Sequence, residues 1–388
     1  MPDLNPTKIS RVALRNYKSI RECDVRLGPV TFLVGPNGSG KSNFVESLRF
    51  LSYALSGTLE QAVEAVSGLD NLVHRATPEG PVHFAVEMNL SPAAACRYSF
   101  AIAGARDGVA IVVSEECVVE STEARHWFRV NRGAVESDQP AMPAASGERL
   151  YLVSASGVPA FEDVYRLLSN IAVYNPIPGE IRGFKPAKRY RTLDRHGTAL
   201  AETVFRMKQS APERLERVTE YLRRITPGIL CVDAVQADSS YTLRVELFIG
   251  GRAQFFTSQG LSDGTLRALA VLVALFQESA RYPLGVVGLE EPESGLHPAA
   301  AAVLFDSLIE ASHLRQVIVT SHSPDLLDRD DIPEDAIKAV ALHEGRTIIG
   351  GIDESGRSVL RNGLYTAGEL MRMDQLHPEG IPGHADVR

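Results

Sequence analysis

The sequence predicts an α/β fold: a mixed central sheet carrying a glycine loop, flanked by an antiparallel β lobe and interrupted by a short helical insertion. Three observations predict it. The apolar run Val30–Val34 leads directly into Gly35-Pro-Asn-Gly-Ser-Gly-Lys-Ser42 and then into apolar residues at helical spacing. A second apolar run, 284–289, ends in the carboxylate pair Glu290-Glu291. Between them, residues 81–135 break into short alternating runs of β type.

The elements follow in order. Residues 8–34 alternate and end in a buried strand, and Phe44, Val45, Leu48, Leu51 and Leu55 place a helix from the loop to position 56 or so. VHFAVEMNL, RYSFAIAG and VAIVVSEECVVE form an antiparallel sheet, punctuated by turns at Arg106-Asp-Gly108 and Asn131-Arg-Gly133. The stretch 136–148 (ESDQPAMPAASGE) reads as an exposed linker. In 198–226, Leu200, Val204, Met207, Ala211, Leu215, Val218, Leu222 and Ile225 recur at spacings of three or four, and Ser210 with Glu213 suggests a capping box around Pro212. That predicts two helices or one kinked helix. Strands return over 229–257, followed by a helix (264–279), the strand 284–289, a helix opened by Pro298, a strand (Gln316–Thr320) and a short α/β tail. The expected lobes are 1–135, with the glycine loop and antiparallel subdomain; 136–258, with linker, basic segment, helices and strands; and 259–388, with the remaining motifs.

An apolar content of 44% and a charged content of 23% in 388 residues are those of an ordinary globular protein. The net charge of −8 argues against a protein that coats nucleic acid through general basicity. Cys23, Cys96, Cys117 and Cys231 lie far apart with no CxxC pair, so neither a zinc hook nor a disulfide framework is expected, and a reducing cytoplasm fits. No apolar leader opens the chain and no window approaches the ~18 apolar residues of a membrane span. A soluble protein without membrane attachment of its own is expected.

The chemistry lies in four strings. Gly35–Ser42 fits the phosphate-loop pattern G-x-x-x-x-G-K-[ST], in the strand–turn–helix context that the pattern needs. Backbone N–H groups across Gly35, Pro36, Asn37, Gly38, Ser39 and Gly40 and into Asn43 would surround phosphates, the proline supplying only its carbonyl. Lys41 would reach the β- and γ-phosphates of ATP, and the Ser42 hydroxyl would ligate Mg2+. Glu290, at a strand's carboxyl end, would sit near Mg2+ directly or through water, and Glu291 would orient and deprotonate the attacking water. His322, in Thr320-Ser-His-Ser-Pro324, follows the next strand and would stand beside the γ-phosphate. Leu261-Ser-Asp-Gly-Thr265 opens a helix, where Ser262 and the Gly264 N–H make a second anion-binding start. One monomer does not need two such starts for one nucleotide. A second copy packed head to tail explains the pair; a plain N-cap explains Ser262 alone.

As a set, LRNYKSI (14–20), GPNGSGKSN (35–43), LSDGTLR (261–267), LEEPESGLHP (289–298), TSHSP (320–324) and LYTAGEL (364–370) make the chain resemble the RecF/SMC-like ABC ATPases, in the stand-alone OLD-like branch. The resemblance implies a P-loop ABC ATPase head, an ATP-dependent head-to-tail homodimer, and hydrolysis at its interface. It also implies an interface-crossing D-loop at Ser294, Gly295 and Leu296, and places Arg15 near the nucleotide. Two departures stand out. Glu290 replaces the usual aspartate, and no Q-loop glutamine is found, Asn175 in Val173-Tyr-Asn-Pro176 being one candidate.

The heptad arms of SMC proteins are missing from the insertion, and too few residues follow His322 for the nuclease domain of OLD nucleases. The expected output is therefore a separate effector protein or a nucleic-acid-bound complex, with genome defence a common setting in this branch. The basic run Arg182–Arg195 suits a nucleic-acid backbone, and suits equally a solvated loop or a clamp onto acidic surface. A RecF-like repair ATPase acting on DNA is the alternative. A transporter subunit is disfavoured by LSDGT standing in place of a glycine–glutamine signature.

Overall fold

A computed structural model of the chain describes residues 8–77, 80–104, 109–183, 192–237, 240–278 and 285–380. Strands β1 (Ile9–Tyr17) and β2 (Ile20–Arg26) form a hairpin, which β3 (Val30–Val34) leaves for a different sheet. Strands β4 (Val82–Ser91), β5 (Ala94–Gly104), β6 (Ala110–Ser121), β7 (Arg125–Asn131) and β8 (Ala134–Ser137) extend the hairpin into a seven-stranded antiparallel sheet of order β2-β1-β4-β5-β6-β7-β8. After β9 (Ile171–Tyr174), strands β10 (Ile229–Ala237), β11 (Ser240–Ile249) and β12 (Arg252–Thr257) make a small antiparallel sheet of their own. With β13 (Val286–Glu290), β14 (Gln316–Ser321), β15 (Ile337–His343) and β16 (Arg346–Gly350), the central sheet has the order β16-β15-β3-β14-β13-β9. Its neighbours are parallel except β15 and β16. This is the mixed α/β architecture with a flanking antiparallel lobe that the sequence predicts.

Strands β3, β13 and β14 are buried at every position, as central parallel strands covered on both faces must be. Successive side chains serve different cores. Leu33, Val286 and Ile318 pack with the helix Lys41–Ser56 and the seven-stranded sheet. Phe32, Val34, Val287, Leu289, Val317 and Val319 pack on the other side with the helix Asp263–Phe276. That helix is buried from Thr265 to Phe276 apart from Arg267, which accounts for the long apolar run in its sequence. Among the described residues no helix is long and apolar enough to cross a membrane.

The insertion is two helices, Leu200–Ser210 and Pro212–Ile225, broken where Pro212 demands it. The expected capping box is absent. Ser210 is still the last residue of the first helix, and its hydroxyl donates back to the Arg206 carbonyl at 2.9 Å, leaving Ala211 as the junction. The helix Asp263–Phe276 also stops short of the expected 279, because Gln277 turns into the interior. Gln277 donates to the Tyr174 hydroxyl at 2.9 Å and accepts from the Leu193 N–H at 2.8 Å.

The stretch after β8 is anchored at its far end by Glu115 of β6. This buried carboxylate accepts from the Tyr151 and Leu152 N–H groups at 2.5 and 2.7 Å and from the Tyr98 hydroxyl at 2.9 Å. Burial pushes its pKa up to about 7 against these three donors.

The parallel register brings the carboxyl ends of β9, β13, β14 and β3 to one rim of the central sheet. Asn175, Glu290-Glu291, His322 and the glycine loop all emerge there, where ligands bind in open α/β sheets.

Candidate nucleotide site

The loop after β3 turns into the helix Lys41–Ser56 through Gly38 and Gly40, both at positive φ (78° and 103°). Gly40 is also required by contact: a Cβ there would lie 2.0 Å from the Thr347 hydroxyl of β16. A chain of hydrogen bonds braces the loop from behind. Asn43 donates to the Ser19 hydroxyl at 2.7 Å, Ser19 meets the Thr347 hydroxyl at 2.7 Å, and Thr347 donates to the Ser39 carbonyl at 2.8 Å.

Pro36, Asn37 and Gly38 face outward, while the buried Ser39 hydroxyl has no hydrogen-bond partner. Lys41 is folded over the loop, with Nζ donating to the Gly35 and Pro36 carbonyls at 2.7 and 2.8 Å. Burial holds its pKa below the ordinary lysine value, and Glu291 and Glu293 oppose that shift. An ammonium parked on two carbonyls, beside an unpartnered hydroxyl and the first N–H groups of a helix, is chemistry suited to an anion.

Glu290 ends β13, is 5% exposed, and has the exposed Ser42 hydroxyl beside it, which favours its charged form. Burial raises its pKa, and Arg195 partly offsets the rise. The two oxygens form a hard donor pair that fits Mg2+. Among the described residues no cluster of three or more His, Cys, Asp or Glu could hold a metal alone. Phosphate oxygens and waters would supply the remaining ligands, as is usual for Mg2+ at nucleotide sites.

Glu291 takes a left-handed backbone, φ 44°, which a non-glycine residue adopts only under constraint. The constraint is its N–H, which donates to the Thr320 carbonyl of β14 at 3.0 Å. This turn brings Glu291 Oε1 to 3.2 Å from His322 Nδ1. Glu293 lies behind them, accepting from the Ser321 hydroxyl at 2.6 Å, with its second oxygen unpartnered and its pKa raised by burial.

Ser262 caps the helix Asp263–Phe276, accepting from the Thr265 N–H at 3.2 Å. A Cβ on Gly264 would lie 2.6 Å from the Gly295 carbonyl, so the Ser294-Gly295-Leu296 turn packs directly on the start of this helix. Arg182 clamps the same start, donating to the Leu261 carbonyl at 2.7 Å and pairing with Asp263 at 2.5 Å. Arg267 of this helix donates to Asn175 Oδ1 at 3.0 Å, which sets Asn175 on the rim beside β13.

Arg15 shares no hydrogen bond or ion pair with the glycine loop among the described residues. It is exposed on β1 and lines a recess with Asn16, Arg21, Thr77 and His83. Besides Lys41, the β1–β2 turn brings Lys18 to a cavity that Gly38 of the loop also lines. Lys18 lines a cavity of about 650 Å3 with Ser19, Gly38, Ser67 and His74, and pairs with Glu46. Of the basic run, Arg182 and Arg195 make internal contacts, Arg195 to Glu46 and Glu290. Lys185, Lys188, Arg189 and Arg191, with Phe184 and Tyr190, lie outside the described residues.

Sequence reasoning missed Lys18, Glu46, Arg195 and Thr347 as parts of this site. Lys18 stands inside LRNYKSI and was within reach. The other three meet the loop only through the tertiary fold.

A family model described as "AAA domain, putative AbiEii toxin, Type IV TA system" matches residues 158–328, and one described as "AAA ATPase domain" matches residues 8–87. The OLD nuclease of Thermus scotoductus is 22% identical over 377 residues, covering 91% of this chain and 66% of that protein. DNA replication and repair protein RecF of Corynebacterium jeikeium is 45% identical over 49 residues, and that of Vibrio vulnificus 39% over 49; each match covers 12% of this chain. The chain thus spans 12–14% of the RecF proteins' length and just under two thirds of the OLD nuclease.

Among solved structures, an SMC head bound to the C-terminal winged-helix domain of ScpA superposes with a TM-score of 0.54 at 14% identity, over 90% of this chain and 99% of that one. An SMC head of Pyrococcus furiosus bound to the C-terminal domain of ScpA gives 0.51 at 13% identity, over 92% and 99%. At such identities the likeness is one of fold. Family models over two separate parts of the chain, the long OLD match and the SMC-head fold point the same way: the chain is similar to the RecF/SMC-like ABC ATPases, in their OLD-like branch.

Proposed function

We propose that the chain binds ATP with Mg2+ and hydrolyses it to ADP and phosphate, at a site completed by a second copy packed head to tail. One observation carries this reading: Glu291 and His322 lie 3.2 Å apart on the rim that also holds Lys41 and the Ser42–Glu290 pair. Glu291 is placed to take a proton from water, and His322 orients it. Lys41 leaves the Gly35 and Pro36 carbonyls for the phosphates, offering one compact charge without new reorganisation of the loop. When bound, Mg2+ would neutralise charge on the phosphate oxygens, held by Ser42 and Glu290. The cavity beside Lys18 and Gly38 is of a size for the base and ribose.

Head-to-tail dimerisation is supported by the exposed Ser262, whose hydrogen bonds among the described residues are to Thr265 of its own helix and not to its own phosphate loop. The dimer would act in the cytoplasm as a switch for a separate effector or a nucleic-acid complex, and the toxin–antitoxin wording of the matched family supports a setting in genome defence. A RecF-like role on DNA is the second reading, favoured by the RecF matches. It predicts a strongly salt-dependent DNA affinity that is lost when basic residues of 182–195 are replaced.

The test is Glu291→Gln. With ATP and Mg2+ it should accumulate as a dimer by light scattering, while ADP leaves it monomeric. A variant that binds ATP yet stays monomeric at saturation sinks the shared-site reading.

A further inference from the structure

Arg195 belongs to none of the catalytic motifs, yet its guanidinium lies inside the candidate site. Nη2 donates to Glu290 Oε1 at 2.7 Å and Nη1 to Glu46 Oε1 at 2.8 Å. The backbone beneath it is fixed. The Arg195 carbonyl accepts from the Asn175 N–H at 2.8 Å, Leu193 is held by Gln277, and the Asp194 carboxylate accepts from the Ala199 N–H at 2.7 Å. Only the side chain has room to change partners.

Its two partners are not equally dependent on it. Glu46 also pairs with Lys18 and, at 3.0 Å, with Arg49, so it remains compensated without Arg195. Glu290, its side chain 7% exposed, has Arg195 as its sole ion-pair partner among the described residues. The oxygen that Arg195 takes belongs to the carboxylate that fits Mg2+ together with Ser42. A guanidinium and a divalent cation cannot share one buried carboxylate without strong repulsion.

We propose that Arg195 is a built-in counter-cation for Glu290: it contends with Mg2+ for the carboxylate and keeps metal from settling there until nucleotide phosphates add their negative charge. This rests on the reading of Glu290 as the metal carboxylate. It makes metal loading depend on nucleotide, and sets the Mg2+ level at which the site fills. Arg195 is in this sense a positioning residue, holding the Glu290 carboxylate in place through Nη2.

Mn2+ binding by the full chain, followed by electron paramagnetic resonance without nucleotide, tests it. Arg195→Ala should bind Mn2+ roughly tenfold more tightly than the unaltered protein, since a charge-assisted hydrogen bond no longer competes. Arg195→Lys, which keeps the charge and guards against a folding defect, should fall between them. Adding Glu290→Gln to Arg195→Ala should abolish the gain. An Arg195→Ala protein that melts normally but binds Mn2+ no better, or more weakly, overturns the proposal.

Fluorescent mant-ATP titrated in EDTA separates the two readings. Arg195→Ala should bind it within about twofold of the unaltered protein, and a roughly tenfold loss would make Arg195 a phosphate ligand and overturn the proposal. If the unaltered protein binds no mant-ATP with Mg2+, the nucleotide reading itself fails, independently of the Mn2+ result.

Discussion

Replacing Thr347 with valine removes one oxygen and leaves the side-chain shape nearly unchanged, so it isolates the brace behind the phosphate loop. Thr347 is 2% exposed, donates to the Ser39 carbonyl at 2.8 Å and meets the Ser19 hydroxyl at 2.7 Å. Losing the first bond strands a carbonyl inside the loop, which costs about 1–3 kcal/mol. Losing the second adds about 1 kcal/mol, because Ser19 still receives the Asn43 amide. The sum is about 2–4 kcal/mol, shared between the folded state as a whole and the order of the loop.

At roughly 1.2 °C per kcal/mol for a cooperative chain of 388 residues, the melting temperature should fall by about 2–5 °C. Mant-ATP should bind about tenfold more weakly, since the loop must be reordered on binding. Thr347→Ser keeps the oxygen and loses a methyl, about 0.8 kcal/mol, and should bind nearly as the unaltered protein does. The reasoning is refuted if the valine variant melts and binds like the unaltered protein, or if serine is as damaging as valine.

Ser262→Arg should abolish ATP turnover while mant-ATP binding by the monomer stays within about threefold; loss of monomer binding would show that this serine serves its own chain's nucleotide. Gly264→Ala gains about 1 kcal/mol of helix propensity but pushes a methyl to 2.6 Å from the Gly295 carbonyl, where overpacking costs about 1–3 kcal/mol. It should melt slightly lower and prevent the ATP-trapped dimer in the Glu291→Gln background, and an unaffected dimer would dissociate the Ser294–Leu296 turn from the interface.

Glu115 carries a pH signature. Its folded pKa of about 7 lies above its reference value of 4.5, so the native state holds the proton more tightly. Its contribution is therefore fully present below pH 4.5 and lost as pH rises through 7, by at most about 3 kcal/mol. Urea melts at a series of pH values should show that slope reduced in Glu115→Gln; an equal slope in both proteins would assign it elsewhere.

The central architecture was legible because its strands are short continuous apolar runs, each ending in a motif with its own chemistry. Val30–Val34, residues 284–289 and Gln316–Thr320 could be read as buried strands, and their order along one rim follows from parallel pairing. The residues that hold the motifs in place were not legible. Thr347 reaches Ser39 across most of the chain, and nothing in a lone threonine on an edge strand announces a phosphate-loop brace.

Arg195 looked like one member of a basic run, where its partners Glu46 and Glu290 are distant in sequence and local charge gives no guide. Lys18 was overlooked for a different reason. The N-terminal motif was read by its strand, whereas the turn at Lys18, with φ 48°, lines the same cavity as Gly38. Ser210 likewise satisfied a local pattern, but the preceding helix claimed its hydroxyl first.

Strands β3, β13 and β14 divide their side chains between two cores, Leu33 to one and Phe32 and Val34 to the other. A wall shared in this way makes the lobes on either side a single cooperative unit. Neither core can melt without stripping one face from strands that the other still needs. The last amides to exchange with solvent therefore belong to this wall, whose ends carry the candidate catalytic groups, so local breathing of either lobe leaves their relative placement intact.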